Sequence, residues 1–436
     1  MGKKLVYNTA LLTASSLLMR CIGMAFQAWL AGRIGAAGIG LFQLVMSVEM
    51  LCTTFAISGI RFAATRLVAE EIGLGREDAL GAAIIRCAAY SLLFGLAASA
   101  LLMGFAEPIG FLWVGDARTV QSLRILACGL PFLSLSSVLS GYFTACGRVW
   151  KSALVHLIEQ LSYIALVAVF LARAPEGDIE RNCAAVTAGV TASDMLSFAL
   201  MLAFFTADRR SHGSGGARGP HLTSRMLGVA LPLAVSSYAR SALSTLEHML
   251  VPRGLRKSGL SADSSLAGYG VIQGMAMPLI GFPSCLLMAV AELIVPELTE
   301  AQMRGDGGDI RRTVGGLVKK SLVFSTAAAL LLFMFSETLS ERVYGSAEAA
   351  RYIRLLAPLV PVMYTDMVVD GCLKGLGQQV WSMGINILDA ALGVVMVWYL
   401  LPVGALDAYI GIIYADELIN FALSASRLRR VCADFN

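Results

Sequence analysis

Long apolar stretches, separated by short polar breaks, follow one another from about residue 6 to residue 426. A helix that crosses a bilayer needs about 20 such residues, and in lipid its backbone must satisfy its own hydrogen bonds. Hydrophobic residues make up 57% of the 436 residues and charged residues only 15%, so no soluble catalytic domain is expected. The sequence predicts an all-α integral membrane protein, and its dispersed net charge of +4 argues against nucleic-acid binding.

The polar breaks divide the chain into about twelve transmembrane helices. We place them at residues 6–32, 39–66, 80–105, 119–146, 150–172, 182–207, 223–249, 266–298, 313–336, 350–375, 380–402 and 405–426. Alternate loops differ in charge, with Lys and Arg concentrated on the side that includes Lys3, Lys151 and Arg430. Because cytoplasmic loops carry the Lys and Arg excess, both termini are predicted to be cytoplasmic, in a multi-pass cytoplasmic (inner) membrane protein.

An internal repeat relates the two halves of the chain. The segment AGIGLFQ at 37–43 returns as AGYGVIQ at 267–273, 230 positions later, and the same spacing pairs Arg124 with Arg354 and Glu159 with Asp389. Upstream of that motif the spacing is 220 and pairs Arg20 with Arg240. We therefore predict two six-helix lobes, 1–207 and 223–436, related by a pseudo-two-fold axis along the membrane normal and joined by a cytoplasmic linker at 208–222.

Ionisable side chains interrupt the apolar stretches, although each costs about 2.5–3.5 kcal/mol inside a membrane. They are Arg20, Glu49, Arg86, Glu159, Asp194, Arg240, Glu247, Glu292, Asp366, Asp370 and Asp389. The equivalent arginines Arg20 and Arg240 indicate a polar cavity for an anionic substrate. The expected substrate-binding residues are Arg20, Arg240, Glu49, Gln43 and Gln273. In the alternative interpretation the two arginines only form ion pairs with carboxylates such as Glu49 and Glu292.

Coupling and gating residues are predicted from charge and helix breaks. Glu159 and Asp389 occupy equivalent repeat positions and, with Asp194 and Glu292, are candidates to bind H⁺ or Na⁺. Prolines inside the seventh and eighth helices free backbone groups and permit bending, so Pro232, Pro278 and Pro283 are candidate gates. Static kinks are the alternative.

Motifs for catalysis are missing from the sequence. It contains neither a P-loop nor a paired Cys/His metal spacing, and its GxG pairs lack the third glycine of a dinucleotide site. The nine cysteines are scattered singly and are read as small apolar residues. No enzyme activity, cofactor or metal is expected, so transport would be driven by an ion gradient, the membrane potential or consumption of the product.

Short motifs in a fixed order carry a family resemblance from about residue 5 to 430. They are Arg20-x-x-Gly23, Gly38-x-Gly40-Leu41-Phe42-Gln43-Leu44, Gly59, Arg66-Leu67-Val68-Ala69-Glu70-Glu71, Gly141-Tyr142-Phe143, Glu159-Gln160, Leu231-Pro232, Val251-Pro252-Arg253 and Val295-Pro296-Glu297-Leu298. Together they resemble the stage V sporulation protein B group of polysaccharide flippases. That group belongs to the multidrug/oligosaccharidyl-lipid/polysaccharide exporter superfamily, which also contains the lipid II flippases.

The resemblance implies movement of an undecaprenyl-pyrophosphate-linked sugar to the outer leaflet, for peptidoglycan, spore cortex or another envelope polysaccharide. The implied partners are this lipid-linked sugar, membrane lipid and a membrane glycosyltransferase or polymerase. Arg20 matches a first-helix arginine of the lipid II flippases. Their following Arg-Asp pair is Phe26-Gln27 here, and many members have about fourteen helices where twelve are predicted here.

Two other functions stay open at this point. A cation-coupled drug and toxin antiporter of the same superfamily would use buried carboxylates, and Glu49, Asp194, Glu292 or Asp366 could serve. A membrane partner that supports a sugar polymerase without transporting anything is the second alternative.

The predicted topology can be tested by cysteine labelling in intact cells. With both termini cytoplasmic, a cysteine introduced near Asp178 should react with an impermeant thiol reagent added outside, and one near Ser214 should react only after permeabilisation. The reverse pattern would show that the predicted orientation is wrong.

Overall fold

Helices account for nearly all of the described chain. The computed structural model describes residues 2–73, 77–175, 177–210, 222–304 and 307–434, and these ranges contain no strand. The α-helices are α1 Gly2–Ile57, α2 Ile60–Gly73, α3 Glu77–Pro108, α4 Val120–Ala145, α5 Val149–Leu171, α6 Ile179–Arg210, α7 Leu222–Lys257, α8 Ala262–Tyr269, α9 Met277–Gly281, α10 Ser284–Arg304, α11 Gly307–Met334, α12 Ser336–Tyr344, α13 Ala347–Leu356, α14 Val360–Gly375 and α15 Gln379–Ala433. Short π-helical turns (Ile109–Val114, Gly270–Ala276) and 3₁₀ turns (Ala117–Thr119, Ala357–Leu359) connect some of them. The predicted all-α membrane fold is confirmed.

Length and hydropathy identify eight helices in the described ranges that can cross a membrane, or nine if the bent pair from Ala262 to Ala291 is one span. Two of the eight segments, Leu18–Ile72 and Gln379–Ala433, have 55 residues each. A straight helix of that length would measure about 80 Å, far more than a hydrocarbon core of about 30 Å. Non-helical backbone divides them at Gly35 (φ 70°) and at Ala405 (φ 51°). These divisions are compatible with twelve spans, a number that remains a prediction.

Two segments predicted as single spans are broken. The predicted helix 39–66 stops at Ile57 and restarts at Ile60, because Gly59 has a φ of 69° and a Cβ there would lie 2.6 Å from the Ala230 carbonyl oxygen. The predicted helix 266–298 is divided among α8, a π-helical turn, α9 and α10, with a 61° bend between Gly281 and Ser284.

Proline explains the second break. Pro283 lies within the bend and, having no backbone N–H, cannot continue the hydrogen-bond ladder. Pro278 stands at the beginning of α9, where a missing N–H is tolerated. The backbone of α7, in contrast, continues through position 232. The side chains of Pro232 and Glu292 lie outside the described residues.

The chain divides into two compact units. The first unit comprises Met1–Met19 and Leu44–Thr245, and the second comprises Arg20–Gln43 and Leu246–Asn436. Buried apolar residues of the first unit form a core that includes Ile60, Leu67, Phe143 and, from the beginning of α7, Leu222 and Met226. These units follow the packing, whereas the predicted lobes 1–207 and 223–436 follow the repeat and remain a prediction. Most of the predicted linker 208–222 lies outside the described residues.

Local geometry recurs at the predicted spacing of 230. In the first unit Arg124 Nη2 lies 2.7 Å from Glu107 Oε1, and in the second unit Arg354 Nη2 lies 3.0 Å from Glu337 Oε1. Positive φ angles recur as well, at Gly115 and Gly345 and at Gly147 and Gly377. This agreement supports the duplication, while the symmetry axis remains a prediction.

The two copies of the glycine-rich motif cross each other within the second unit. A Cβ on Gly40 would lie 2.0 Å from the Leu266 carbonyl oxygen, and a Cβ on Gly270 would lie 2.2 Å from the Ala36 carbonyl oxygen. No side chain fits where two backbones approach this closely. The repeated motif therefore has a structural explanation, since each copy supplies the glycine that the other copy contacts.

Alanine at this crossing should destabilise the protein. We expect Gly40→Ala and Gly270→Ala each to lower the free energy of unfolding by about 1–3 kcal/mol, because the backbones must separate. Gly32→Ala is the control, since nothing lies within 4 Å of a Cβ there and alanine favours a helix. Thermal unfolding of the purified protein in detergent measures the difference. Equal midpoints for Gly40→Ala and Gly32→Ala would contradict the close crossing.

Candidate functional site

Arg20 contacts the broken helix of the second unit. Its Nη1 donates to the Gly281 carbonyl oxygen at 3.1 Å and to Ser284 Oγ at 3.4 Å, and its Nη2 lies 3.2 Å from Met288 Sδ. The side chain is nevertheless exposed on α1. Arg20 thus spans the bend between α9 and α10.

Backbone chemistry explains this contact. The bend leaves carbonyl groups without helical donors, and lipid supplies none. The Gly281 oxygen accepts from Arg20 and, at 2.7 Å, from Ser284 Oγ, while the Ile280 oxygen accepts from the Tyr364 hydroxyl. The sequence predicted that neighbours satisfy such groups, but it did not identify Arg20 as one of them. Pairing of Arg20 with Glu292 remains a prediction.

Arg240 lies in the first unit, exposed on α7. It forms no hydrogen bond or ion pair with any side chain that the structure describes. Nearby residues of α7 form hydrogen bonds with α1: Thr54 Oγ1 donates to Ser241 Oγ at 3.2 Å, and Thr245 Oγ1 donates to the Ser47 carbonyl oxygen at 2.8 Å. These bonds fix α7 against α1 in the first unit and leave Arg240 on an exposed part of the helix. Pairing of Arg20 and Arg240 stays a prediction.

Glutamines of the second unit lie at the crossing of the two motifs. Gln273 Nε2 donates to the Tyr409 hydroxyl at 2.6 Å, and Gln27 Nε2 donates to the Gly274 carbonyl oxygen at 3.2 Å. Gln43 is partly buried beside Gly274. A substrate role for Gln43 and Gln273 remains a prediction, and the Gln273 amide already has a protein partner.

Three carboxylates meet in the first unit. Glu49 Oε1 on α1 accepts from Thr53 Oγ1 at 2.8 Å, and Glu159 Oε2 on α5 accepts from Ser197 Oγ at 2.6 Å. Glu159 Oε2 also lies 3.2 Å from His156 Nδ1. Asp194 on α6 is near enough to Glu159 and Glu49 to be repelled by both charges. The structure therefore brings one predicted substrate-binding residue together with two predicted coupling residues, although it does not test their roles.

A second group of carboxylates occupies the second unit. Asp416 Oδ2 and Glu247 Oε2 lie 2.8 Å and 3.2 Å from the position that a Cβ on Gly393 would take, so both contact the same small space. Asp389 also repels Glu247, and nearby Asp366 Oδ2 accepts from Asn420 Nδ2 at 3.4 Å.

Within the described ranges, no three His, Cys, Asp or Glu residues are arranged to hold a metal ion. Asp416 and its neighbour Glu417 were not among the site residues predicted from the sequence. Two adjacent acids in an apolar stretch were the signal that could have identified them.

An ionic cluster pins the beginning of α7 to the end of α2 in the first unit. Arg225 Nη1 lies 2.7 Å from Glu71 Oε1, and Arg225 Nη2 bonds to Glu70. Arg66 Nε donates to the same Glu70 at 2.8 Å. Glu71 is fully buried, whereas Arg66 is 65% exposed. The sequence showed these residues only as a loop charge and a family motif, because their pairing depends on tertiary packing.

The chain matches two known protein families. The chain matches the family described as polysaccharide biosynthesis protein over residues 5–302, more than half of its length. It belongs to that family. Residues 257–399 also match the MatE family.

Two individual proteins are similar to this chain along most of its length. The chain is 24% identical over 427 residues to stage V sporulation protein B of Bacillus subtilis (strain 168), which covers 96% of this chain and 82% of the relative. Sporulation protein YkvU of the same organism is 21% identical over 391 residues, covering 87% and 86%. The resemblance predicted from the motifs is confirmed.

Solved structures share the fold. An inward-facing multidrug resistance MATE family transporter of the MOP superfamily superposes with a TM-score of 0.71 at 13% identity, over 95% of each chain. The MATE multidrug transporter DinF-BH gives 0.64 at 16% identity, over 99% of this chain and 96% of the other. The protein therefore has the same fold as these two MATE transporters.

Removal of Arg225 should destabilise the protein more than removal of Arg66. Arg225→Gln leaves the buried Glu71 charge uncompensated, which typically costs about 3–5 kcal/mol. Arg66→Gln is the matched control because it removes an exposed i,i+4 pair with the same Glu70, worth about 0.3–0.5 kcal/mol. Denaturant or thermal unfolding in detergent compares them, and similar losses for both variants would rule out this ranking.

Proposed function

We propose that this protein moves a polyprenyl-pyrophosphate-linked saccharide across the cytoplasmic membrane by alternating access. The observation that carries the proposal is the presence of two exposed arginines, Arg20 and Arg240, in apolar helices of a polysaccharide biosynthesis family member. Neither has an ion-pair partner among the described side chains. A cation in hydrocarbon is costly, so a transient anionic ligand would stabilise both.

The donor chemistry suits a pyrophosphate. A guanidinium has five N–H donors in a planar fork that matches phosphate oxygens. The three contacts of Arg20 with the bend leave one N–H on Nε and one on Nη2 for a substrate oxygen. Because one of those contacts is to the Gly281 carbonyl, substrate binding at Arg20 would also act on the α9–α10 bend.

The bend is the element proposed to move. Pro278 lies at the beginning of α9 and Pro283 in the bend between α9 and α10, and Pro232 lies in α7, the helix that carries Arg240. Charge coupling would come from the carboxylate groups, with Glu159 and Asp194 in the first unit and Asp389 in the second, together with Glu292. Binding of H⁺ or Na⁺ would lower the repulsion within each group and so change the energy of each conformation.

Cation-coupled drug export is the second candidate function, favoured by the two carboxylate groups and the MATE fold. It differs from the first in the charge of the ligand. A cationic drug would bind at the carboxylates and would be repelled by Arg20 and Arg240.

For the proposed flippase, we place both termini in the cytoplasm and expect a membrane glycosyltransferase to use the flipped sugar. On this proposal the protein itself performs no chemical conversion.

Substitution of the arginines tests the proposal in reconstituted vesicles with a fluorescent polyprenyl-pyrophosphate disaccharide. Lysine keeps the charge but loses the two-pronged contact, so Arg20→Lys and Arg240→Lys should slow leaflet exchange about tenfold. Arg20→Gln and Arg240→Gln should slow it further. Arg124→Gln is the control, since it removes an exposed ion pair.

The Arg240 variants separate transport from folding, because Arg240 has no described contact to lose whereas Arg20 supports the bend. Parent rates in stably inserted Arg20→Gln and Arg240→Gln would refute the pyrophosphate site. Export of a cationic dye with no movement of the lipid-linked sugar would favour the drug antiporter. Movement of neither by the parent protein would favour the non-transporting partner.

A further inference from the structure

A small recess lies in the second unit where the end of α7 meets the first half of α15. Its volume is about 320 Å³, and its walls include Leu250, Arg253, Arg256, Lys257, Trp398 and Pro402. Neither the predicted substrate site nor the carboxylate groups contribute a residue to it. The recess is therefore a separate feature of the molecule.

Backbone packing creates the recess. Gly254 lies against Leu401 so closely that a Cβ would be 2.7 Å from Leu401 Cδ2, which brings α7 and α15 together at this level. Beyond the contact α7 ends at Lys257, and α15 is interrupted at Ala405, just after Pro402. A space therefore remains at the ends of two closely packed helices.

Positive charge dominates the recess. Arg253 and Lys257 are four residues apart on α7 and share one face of the helix, an arrangement of like charges that is unfavourable without an anion. Arg256 also lines the recess but has an interaction of its own, so the charge available to a ligand is that of Arg253 and Lys257. No acidic side chain lines the described walls. The recess thus has the electrostatic character of an anion site.

The surroundings indicate where that anion comes from. Trp398, Tyr399 and Val403 beside the recess are 52%, 70% and 87% exposed, a surface suited to lipid. Tryptophan and tyrosine favour the level of the lipid headgroups, and lysine and arginine at helix ends reach toward phosphates there. The Lys257 ammonium lies 4.5 Å from the centre of the Trp398 ring, which fixes the cation at the apolar boundary.

We propose that this recess binds the phosphate of an anionic membrane phospholipid. Arg253 and Lys257 donate to the phosphate oxygens, and the Trp398 ring packs against the glycerol and the first acyl carbons. The space is large enough for one headgroup. This lipid is a resident ligand and not the transported molecule, so the proposal is independent of the transport function.

Native mass spectrometry of the full-length protein in detergent tests the proposal, with phosphatidylglycerol, phosphatidylcholine and inorganic phosphate titrated separately. We expect the parent to bind phosphatidylglycerol about tenfold more tightly than phosphatidylcholine. The double variant Arg253→Gln/Lys257→Gln should lose this preference, and Trp398→Leu should weaken it while keeping the charges. Inorganic phosphate in excess should not displace the lipid.

Arg33→Gln is the matched control. Arg33 occupies the equivalent helix end of the first repeat and stacks on Trp29 at 5.8 Å, but it does not line the recess. This variant should keep the parent preference. Equal binding of the two lipids by the parent would overturn the proposal. So would an unchanged preference in both Arg253→Gln/Lys257→Gln and Trp398→Leu, or displacement of the lipid by inorganic phosphate, which would identify a site for free anions.

Discussion

The lipid bilayer offers no hydrogen-bond donors to the backbone, and the rest of this structure depends on that constraint. Where the ladder stops at Pro283, the Gly281 and Ile280 carbonyls take donors from Arg20, Ser284 and Tyr364. Proline breaks the ladder, and these side chains supply the bonds that the freed carbonyls would otherwise lack in lipid. Arg20 completes the broken helix with three of its five N–H groups, and the other two are not used by these contacts.

The acids of the first unit and its cation Arg225 differ in how their charges are compensated. In the first unit Glu49 and Glu159 accept bonds from hydroxyl groups, and both lie near enough to Asp194 to repel its charge. The cation Arg225, in contrast, is paired with Glu70 and with the buried Glu71. Charge compensation in the first unit is therefore strong around Arg225 and weaker around the grouped carboxylates.

Sequence reasoning predicted the features that depend on local composition. Apolar length identified the membrane helices, and the recurrence of AGIGLFQ as AGYGVIQ revealed the duplication whose ion pairs the structure repeats. Pro283 marked a point where the helix can bend, and the structure bends there. The sequence did not predict the break at Gly59, because that break depends on what packs against the helix, here the Ala230 carbonyl. It also missed Arg225 with Glu71, since residues 154 positions apart carry no mutual signal in one sequence.

The crossing of Gly40 and Gly270 also limits where this chain can gain or lose residues. One residue inserted between Ala36 and Gly40 would rotate the helix by about 100° and bring a side chain to the contact. The two copies nevertheless differ by ten residues in length, and that difference falls between Arg253 and Ala267, ahead of the crossing. Loop length could therefore diverge after duplication on that side of the contact, while the few residues that lead into each glycine had to keep their number.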